Sequence, residues 1–277
     1  MSCINDDLDK IEIELLLEGI YRYYGMDFRN YSYPSLRRRI WRRVRAEELQ
    51  NVSQLLNKVL HDAKSMERLL DDFSMSVTEM FRDPGFFKSF RTHIVPLLWE
   101  YPTVRLWHAG CATGEEVYSM AIMLYETGLY EKTRIYATDI SEKSLSKAKS
   151  AMFPLEKMQY YSRNYFNAGG QGSLSEYYTA GVSSVTFHSF LTRNIVFAQH
   201  NLVTDHSFNE FNAIICRNVL IYFDRALQKR VCQLFYDSLA SPGFLGIGSK
   251  ESLQLVGLAD KFCIIDKANK LYGKKLM

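Results

Sequence analysis

Val104-Arg105-Leu106-Trp107-His108-Ala109-Gly110-Cys111-Ala112-Thr113-Gly114-Glu115-Glu116 is the stretch on which the reading of this chain turns. Residues 104–110 form a short apolar run bounded by small residues, the pattern of a buried strand. EVYSMAIMLYETG, residues 116–128, has helical character and stops at Gly128. The glycine-containing stretch between them therefore reads as the first strand-to-helix turn of a doubly wound fold, where small residues let the backbone approach a ligand. It is not G-x-G-x-x-G. Glu115 and Glu116 place negative charge at a helix N-terminus that would otherwise attract phosphate, which argues against a dinucleotide.

TRIYATD, residues 133–139, reads as the next strand, and it ends on Asp139, 25 residues beyond Gly114. An acidic residue in that range takes the two ribose hydroxyls of an adenosine ligand. S-adenosylmethionine, with a sulfonium, an α-ammonium and a ribose diol, suits acidic neighbours where a pyrophosphate would not. The same residues also describe an ordinary strand-to-helix turn followed by an N-cap aspartate.

Outward from this turn, SEKSLSKAKSAMF (141–153) reads as a helix capped by Ser141, and FNAIICRN (211–218) as a strand. DRALQKRVCQLFYDSLA (224–240) reads as a helix, GFLGIGS (243–249) as a strand, and KFCIID with KLYGKKL as an antiparallel ending. Alternating strands and helices predict an α/β fold with a mostly parallel sheet covered on both faces. Residues 167–199, with aromatic and β-branched runs separated by Gly and Ser, predict a small antiparallel hairpin insertion. Before all this, Leu8, Ile11, Leu15, Leu16 and Ile20, and then Leu55, Leu56, Val59 and Leu60, recur at helical spacing. The expected organisation is a helical domain over 1–72, a linker and entry helix over 73–102, and the main domain over 103–277.

A chain of 277 residues with 47% apolar content can bury a sizeable core. It has no apolar run of membrane-spanning length, and its first residues, MSCINDDLDK, are polar and acidic, so a cytoplasmic protein without membrane insertion is expected. The five cysteines are scattered, with no C-x-x-C pair, which predicts reduced thiols and no metal site. A net charge of +3 is too small to imply a polyanionic partner, but its distribution is uneven. Between Arg37 and Arg45 there are six arginines in nine positions. On a helix Arg38, Arg42 and Arg45 share one face, Arg39 and Arg43 flank it, and Leu36, Ile40 and Val44 point elsewhere. Such a stripe predicts docking of an acidic partner rather than a merely solvated face.

Four motifs in order make the chain recognisable: Val77-Thr78-Glu79-Met80-Phe81-Arg82-Asp83-Pro84, Gly110 to Glu116 with Tyr118-Ser119, Ala137-Thr138-Asp139-Ile140, and Cys216-Arg217-Asn218-Val219-Leu220-Ile221-Tyr222-Phe223-Asp224. Together they resemble the CheR family of chemotaxis receptor glutamate methyltransferases, over nearly the whole length. The resemblance implies a Rossmann-like class I methyltransferase fold with an antiparallel last strand. It also implies that S-adenosylmethionine is consumed and S-adenosylhomocysteine released. By the same resemblance Thr78 and Arg82 contact the cofactor, Gly110 lies in its loop, and Glu115 or Glu116 takes its amino-acid end or a neighbouring part. Asp139 takes the ribose, Asn201 and Leu202 line the adenine region, and Arg217 and Asn218 lie beside the methyl group. The family usually has asparagine where this chain has Ser76, so that side chain keeps a hydroxyl but loses the reach of the amide.

Methyl transfer to a glutamate needs no general base, because a carboxyl of reference pKa about 4.3 is already ionised at neutral pH. The catalytic groups that the resemblance implies, Arg82 and Tyr222, would orient the acceptor carboxylate. Its partner would be the cytoplasmic helical region of a transmembrane chemoreceptor, docked on Arg38, Arg42 and Arg45, with the enzyme acting as a monomer. Nucleic acid is the rival reading of an arginine helix, but the Asn-Pro-Pro-aromatic or Asp-Pro-Pro-aromatic turn of many amino-methylating enzymes is absent after residue 216. A methyltransferase acting on a small carboxylate and a non-catalytic module that retains the fold are the other rivals. In family members that capture a receptor's C-terminal peptide on the hairpin insertion, a Gly-x-Gly turn is expected. Ala180-Gly181-Val182-Ser183 stands there instead, against tethered recruitment.

Overall fold

The computed structural model describes residues 2–73 and 78–275, with side chains from Asp6 onward. Ser76 lies outside the described residues. The chain divides into two compact units, Met1–Met75 with Ile221–Gln228, and Ser76–Leu220 with Lys229–Met277.

The first unit is helical: α1 (Ser2–Tyr24), α2 (Tyr33–Ala46), α3 (Val52–His61) and α4 (Ala63–Phe73). Pro34 sits in the first turn of α2, where a missing N–H costs nothing. Asn51 caps α3, its side-chain oxygen accepting from Gln54 N at 2.9 Å. Ile13, Leu16, Ile20, Leu36, Ile40, Val44, Leu55 and Val59 are buried together, each contributing about 1.5–3 kcal/mol. α1 is helical as its periodicity predicts, but Leu8, Ile11 and Leu15 are 55%, 53% and 53% exposed, and Ile13, Leu16, Leu17 and Ile20 face inward. Both faces of α1 carry apolar residues, so only its packing on α3 selects the inner one. Ile221–Gln228 joins this unit through Ser32 N donating to Tyr222 O at 2.7 Å and Asp224 N to Asn30 O at 2.9 Å.

The second unit begins with α5 (Pro84–Ser89), which passes through a wider π turn, Phe90–Ile94, into α6 (Val95–Leu98). There follow β1 (Val104–Ala109), α7 (Glu115–Glu126), β2 (Thr133–Asp139), α8 (Glu142–Ser150), β3 (Met152–Pro154), α9 (Met158–Asn167), β4 (Tyr178–Ala180), β5 (Ser184–Phe187), β6 (Ile195–Gln199), β7 (Phe211–Cys216), α10 (Arg225–Ser238), β8 (Leu239–Ile247), β9 (Phe262–Asp266) and β10 (Leu271–Lys274). The main sheet has seven strands in the order β6-β2-β1-β7-β8-β10-β9. The first five are parallel, and β10 runs antiparallel to both β8 and β9. This is the Rossmann-like class I methyltransferase arrangement, and its strand order reverses direction at β1, between β2 and β7.

Three local expectations are corrected. Helix α8 ends at Ser150, where Ala151 turns left-handed at φ 55°, and Met152 and Phe153, expected as the end of the helix, begin the strand Met152–Pro154. It completes a three-stranded sheet, β3-β5-β4. Ile195–Gln199, expected in the insertion, is instead the edge of the main sheet, parallel to β2. α9 was not anticipated: its aromatic, Asn-containing sequence has modest helix propensity, and buried Met158, Tyr161 and Tyr165 at helical spacing carry it. Among the described residues no helix is long and apolar enough to cross a membrane.

Candidate active site

Because the order of strands reverses at β1, the segments leaving β1 and β7 diverge, and the crevice between them is where a doubly wound sheet binds ligands. The loop after β1 is tightly folded. Gly110 N and Cys111 N both donate to Thr138 O at 2.8 Å, and Gly114 N donates to Cys111 O at 3.0 Å. Gly110, Ala112 and Gly114 are left-handed, at φ 79°, 50° and 93°. A Cβ on Gly110 would stand 2.5 Å from Val219 Cγ2, and one on Gly114 2.9 Å from Ala148 Cβ, so both positions reserve conformation and space for glycine.

Asp139, at the end of β2, accepts from Ala112 N and from Ser141 N, each at 2.9 Å, one on each carboxylate oxygen. Burial pushes its carboxyl above the usual range, and the backbone N–H groups oppose that only in part. The aspartate thus ties the loop to β2 while each oxygen keeps further accepting capacity for a hydroxyl.

Glu115 and Glu116 are differently placed. Glu115 is buried, accepts from the Thr113 hydroxyl at 2.6 Å, and is pushed upward by that burial. Burial acts on Glu116 in the same sense, but Arg217 and His108 outweigh it and hold the carboxyl below its ordinary value. Arg217 donates to Glu116 Oε2 at 2.7 Å, and His108 Nδ1 lies 3.3 Å from Oε1.

Arg217, whose side chain is 2% exposed, extends this cluster to the segment before α5. One terminal nitrogen also donates to Arg82 O at 3.2 Å, the other donates to Asp83 Oδ2 at 2.7 Å, and the guanidinium lies 4.2 Å from the centre of the Phe86 ring. Arg82 stands between two left-handed non-glycine residues, Phe81 at φ 50° and Asp83 at φ 53°. Phe81 N donates to Ser119 Oγ at 2.9 Å, Asn164 donates to Met80 O at 3.1 Å, and the Tyr160 hydroxyl donates to Glu79 at 3.2 Å. Thr78 is half-buried just upstream.

Asn218 is left-handed at φ 61°, and a Cβ on Gly248 would come within 2.8 Å of its backbone nitrogen. Asn201, beyond β6, spends its side-chain oxygen on Val203 N at 2.9 Å, and Leu202 is buried. His108, Asp83, Ser119 and Asn164 were not singled out in the sequence. The first three lie within the quoted stretches, whereas Asn164 sits on the unanticipated helix and carried no signal.

The arginine helix, in the first unit, is less uniformly charged than its sequence. Arg37 pairs with Asp6 and Asp9, Arg42 with Asp72 at 2.7 Å, and Arg43 with Asp72 at 2.6 Å. Arg39 is buried, donating to the carbonyls of Asp72 and Phe73, and its guanidinium lies 4.4 Å from the centre of the Tyr222 ring. Arg38 and Arg45 are exposed and make no ion pair among the described residues. With Tyr33, Pro34, Arg37 and Trp41 they line a surface groove of about 500 Å³. The neutralising acids are remote in sequence, so the run of arginines alone did not show them.

The glycine cradle, the strand-end aspartate and the acidic pair fit an adenosine ligand with a cationic amino acid. His108 Nε2 and Arg217 Nε, buried without a hydrogen-bond partner among the described residues, leave polar capacity beside Glu116. Fold and site define an S-adenosylmethionine-dependent methyltransferase. The family described as CheR methyltransferase, SAM binding domain, matches residues 76–270, and CheR methyltransferase, all-alpha domain, matches residues 11–74. The chain belongs to the CheR methyltransferase family. A Pseudomonas putida relative carrying the methyltransferase name Cher3 is 47% identical over 264 residues, covering 95% of this chain and 97% of that one. The chemotaxis protein methyltransferase of Borreliella burgdorferi is 26% identical over 270 residues, covering 91% of each. Among solved structures, the N-methyltransferase NodS of Bradyrhizobium japonicum WM9 is 13% identical with a TM-score of 0.40, covering 72% of this chain and 90% of its own.

Proposed function

We propose that this chain methylates glutamate side-chain carboxylates of chemoreceptors, yielding glutamate methyl esters in sensory adaptation. The observation that carries the reading is the acidic, glycine-lined loop at the switch point of the sheet, in a chain whose relatives are named chemotaxis protein methyltransferases. Bound S-adenosylmethionine supplies an electrophilic methyl group on a sulfonium. Asp139 takes the ribose hydroxyls, Asn201 and Leu202 border the adenine, and Gly110 gives the backbone its close approach. Glu115 or Glu116 takes the amino-acid end with Thr78 near it, Arg217 and Asn218 lie on the side of the methyl group, and Ser76 belongs to the same set by its place in the motif.

The acceptor glutamate arrives ionised, so Arg82 and Tyr222 orient it rather than remove a proton. Two donors suffice, because further cations would stabilise the ground-state carboxylate more than a transition state in which its charge is falling. Arg38 and Arg45, with Arg42 more weakly, dock the acidic cytoplasmic helices of the receptor. The division into a helical docking domain (1–72), a linker (73–102) and a cofactor domain (103–277) belongs to this reading. So do a cytoplasmic location, a monomeric state and the absence of a nucleic-acid substrate.

The test is incubation with radiolabelled cofactor and membranes holding candidate receptors, followed by mild alkali. Label on the receptor, released as methanol, is expected. It should be strongly reduced in Arg38→Glu/Arg45→Glu, with cofactor affinity unchanged. Alkali-stable label on nucleic acid, or tight cofactor binding with no transfer to any receptor, would sink the proposal.

A further inference from the structure

We propose that Arg217 is a positioning residue that locks the segment carrying Arg82, so that the acceptor-orienting guanidinium is presented from a backbone held by the cofactor-side helix. The inference rests on the assignment of Arg82 above. Its starting point is the conformation of the segment: Phe81 and Asp83, on either side of Arg82, are both left-handed non-glycine residues. Such residues persist only where their surroundings over-determine them.

Three groups do so here. Ser119 takes the Phe81 N–H and Asn164 the Met80 carbonyl, fixing the upstream side. Arg217 grips the arginine's own peptide, through the Arg82 carbonyl at 3.2 Å, together with the carboxylate of Asp83 at 2.7 Å. Its position is set in turn by Glu116 at 2.7 Å, in the first turn of α7, and by the Phe86 ring beneath it. A planar fork with fixed donors reaches Glu116, Asp83 and the carbonyl at once, whereas the single ammonium of a lysine has no such fixed geometry. Arg217 thereby couples two parts of the site: Glu116 on the cofactor side and Arg82 on the acceptor side.

Asp83→Asn and Arg217→Lys test this. Asp83 is partly exposed, so its variant should fold even if the Arg217 variant is destabilised. Asp83→Asn should lower kcat on receptor about tenfold while the Kd for S-adenosylhomocysteine stays within about twofold, as expected for a displaced orienting group. Arg217→Lys should lose about as much or more, and adding Asp83→Asn to it should cost little further, because both act through one contact. Independently of any substrate, both variants should speed hydrogen exchange at the amides of residues 79–86. Wild-type exchange there in both variants overturns the lock. So does an Arg217→Lys protein that loses only cofactor affinity beside an Asp83→Asn protein that behaves as wild type, a result that makes Arg217 a direct cofactor contact. Faster exchange with unaltered transfer kinetics retains the structural contact but refutes the positioning role. Absence of transfer by the wild type, with the exchange result as expected, faults the proposed reaction and not the lock.

Discussion

Gly110→Ala puts the packing of the cofactor loop to a quantitative test. At φ 79° an alanine pays about 1–2 kcal/mol for left-handed backbone. Its Cβ would also stand 2.5 Å from Val219 Cγ2, well inside van der Waals contact, and overpacking of that kind costs about 1–3 kcal/mol. The sum, about 2–5 kcal/mol, corresponds to a Tm lowered by roughly 5–15 °C for a domain of this size. Removing the obstacle separates the two parts. Val219→Ala deletes both γ-methyls and leaves the Val219 Cβ 3.5 Å from the new methyl, an ordinary contact. The double variant Gly110→Ala/Val219→Ala should therefore recover about 1–3 kcal/mol relative to additivity and retain only the backbone strain. Thermal melts and titrations with S-adenosylhomocysteine on all four proteins give the cycle. Simple additivity would falsify the claim that Val219 is what reserves residue 110 for glycine.

Two further predictions follow from individual carboxylates. Asp139→Asn turns an amide donor toward one of the two backbone N–H groups that Asp139 now accepts, and removes the charge of the acceptor proposed for the ribose. Its affinity for S-adenosylhomocysteine should fall about 10–100-fold, and a titration showing less than a twofold change would refute the ribose assignment. Asp266 is held down to about 2 by the Asn269 side chain, the Ser89 hydroxyl and the backbone of the turn, against an ordinary value of 3.8. A lowered carboxyl contributes stability above its unfolded pKa and loses it as pH falls through the folded one. The Tm advantage of wild type over Asp266→Asn should accordingly be constant from pH 7 to about 5 and shrink between about 4 and 2. A difference that does not vary over that range means the carboxylate is not what those donors stabilise.

The parts of the molecule legible in sequence are those with local causes. β2 agrees with its sequence pattern to the residue and β1 to within one, because each is a short run of mostly apolar and β-branched residues ended by small or turn-forming ones. The glycines and acids of the cofactor loop were legible for the same reason: conformation, charge and spacing all lie within one turn. The small sheet was only half legible. Its hairpin shows in β-branched residues and turn chemistry, but Met152–Pro154 became a strand only by pairing with Ser184–Phe187. Ile195–Gln199, whose composition matches the hairpin, was claimed by β2 instead.

By itself, then, the order of apolar runs and turns determined a doubly wound sheet after a helical domain, the loop at its first crossover pointed away from a pyrophosphate, and the four ordered motifs together pointed to the class of cofactor. Tertiary structure decided which charges remain available. Arg42 and Arg43 share Asp72, Arg37 is taken by Asp6 and Asp9, and Arg39 is buried, so a run of six arginines presents Arg38 and Arg45. It likewise decided that Glu116, beside Glu115 in sequence, belongs with Arg217 and Asp83, about a hundred residues downstream and about thirty upstream. The physical reason is the same in both cases. A local pattern sets what a segment can become, but a charge is satisfied by whatever lies within a few ångströms, and folding brings those partners from distant parts of the chain.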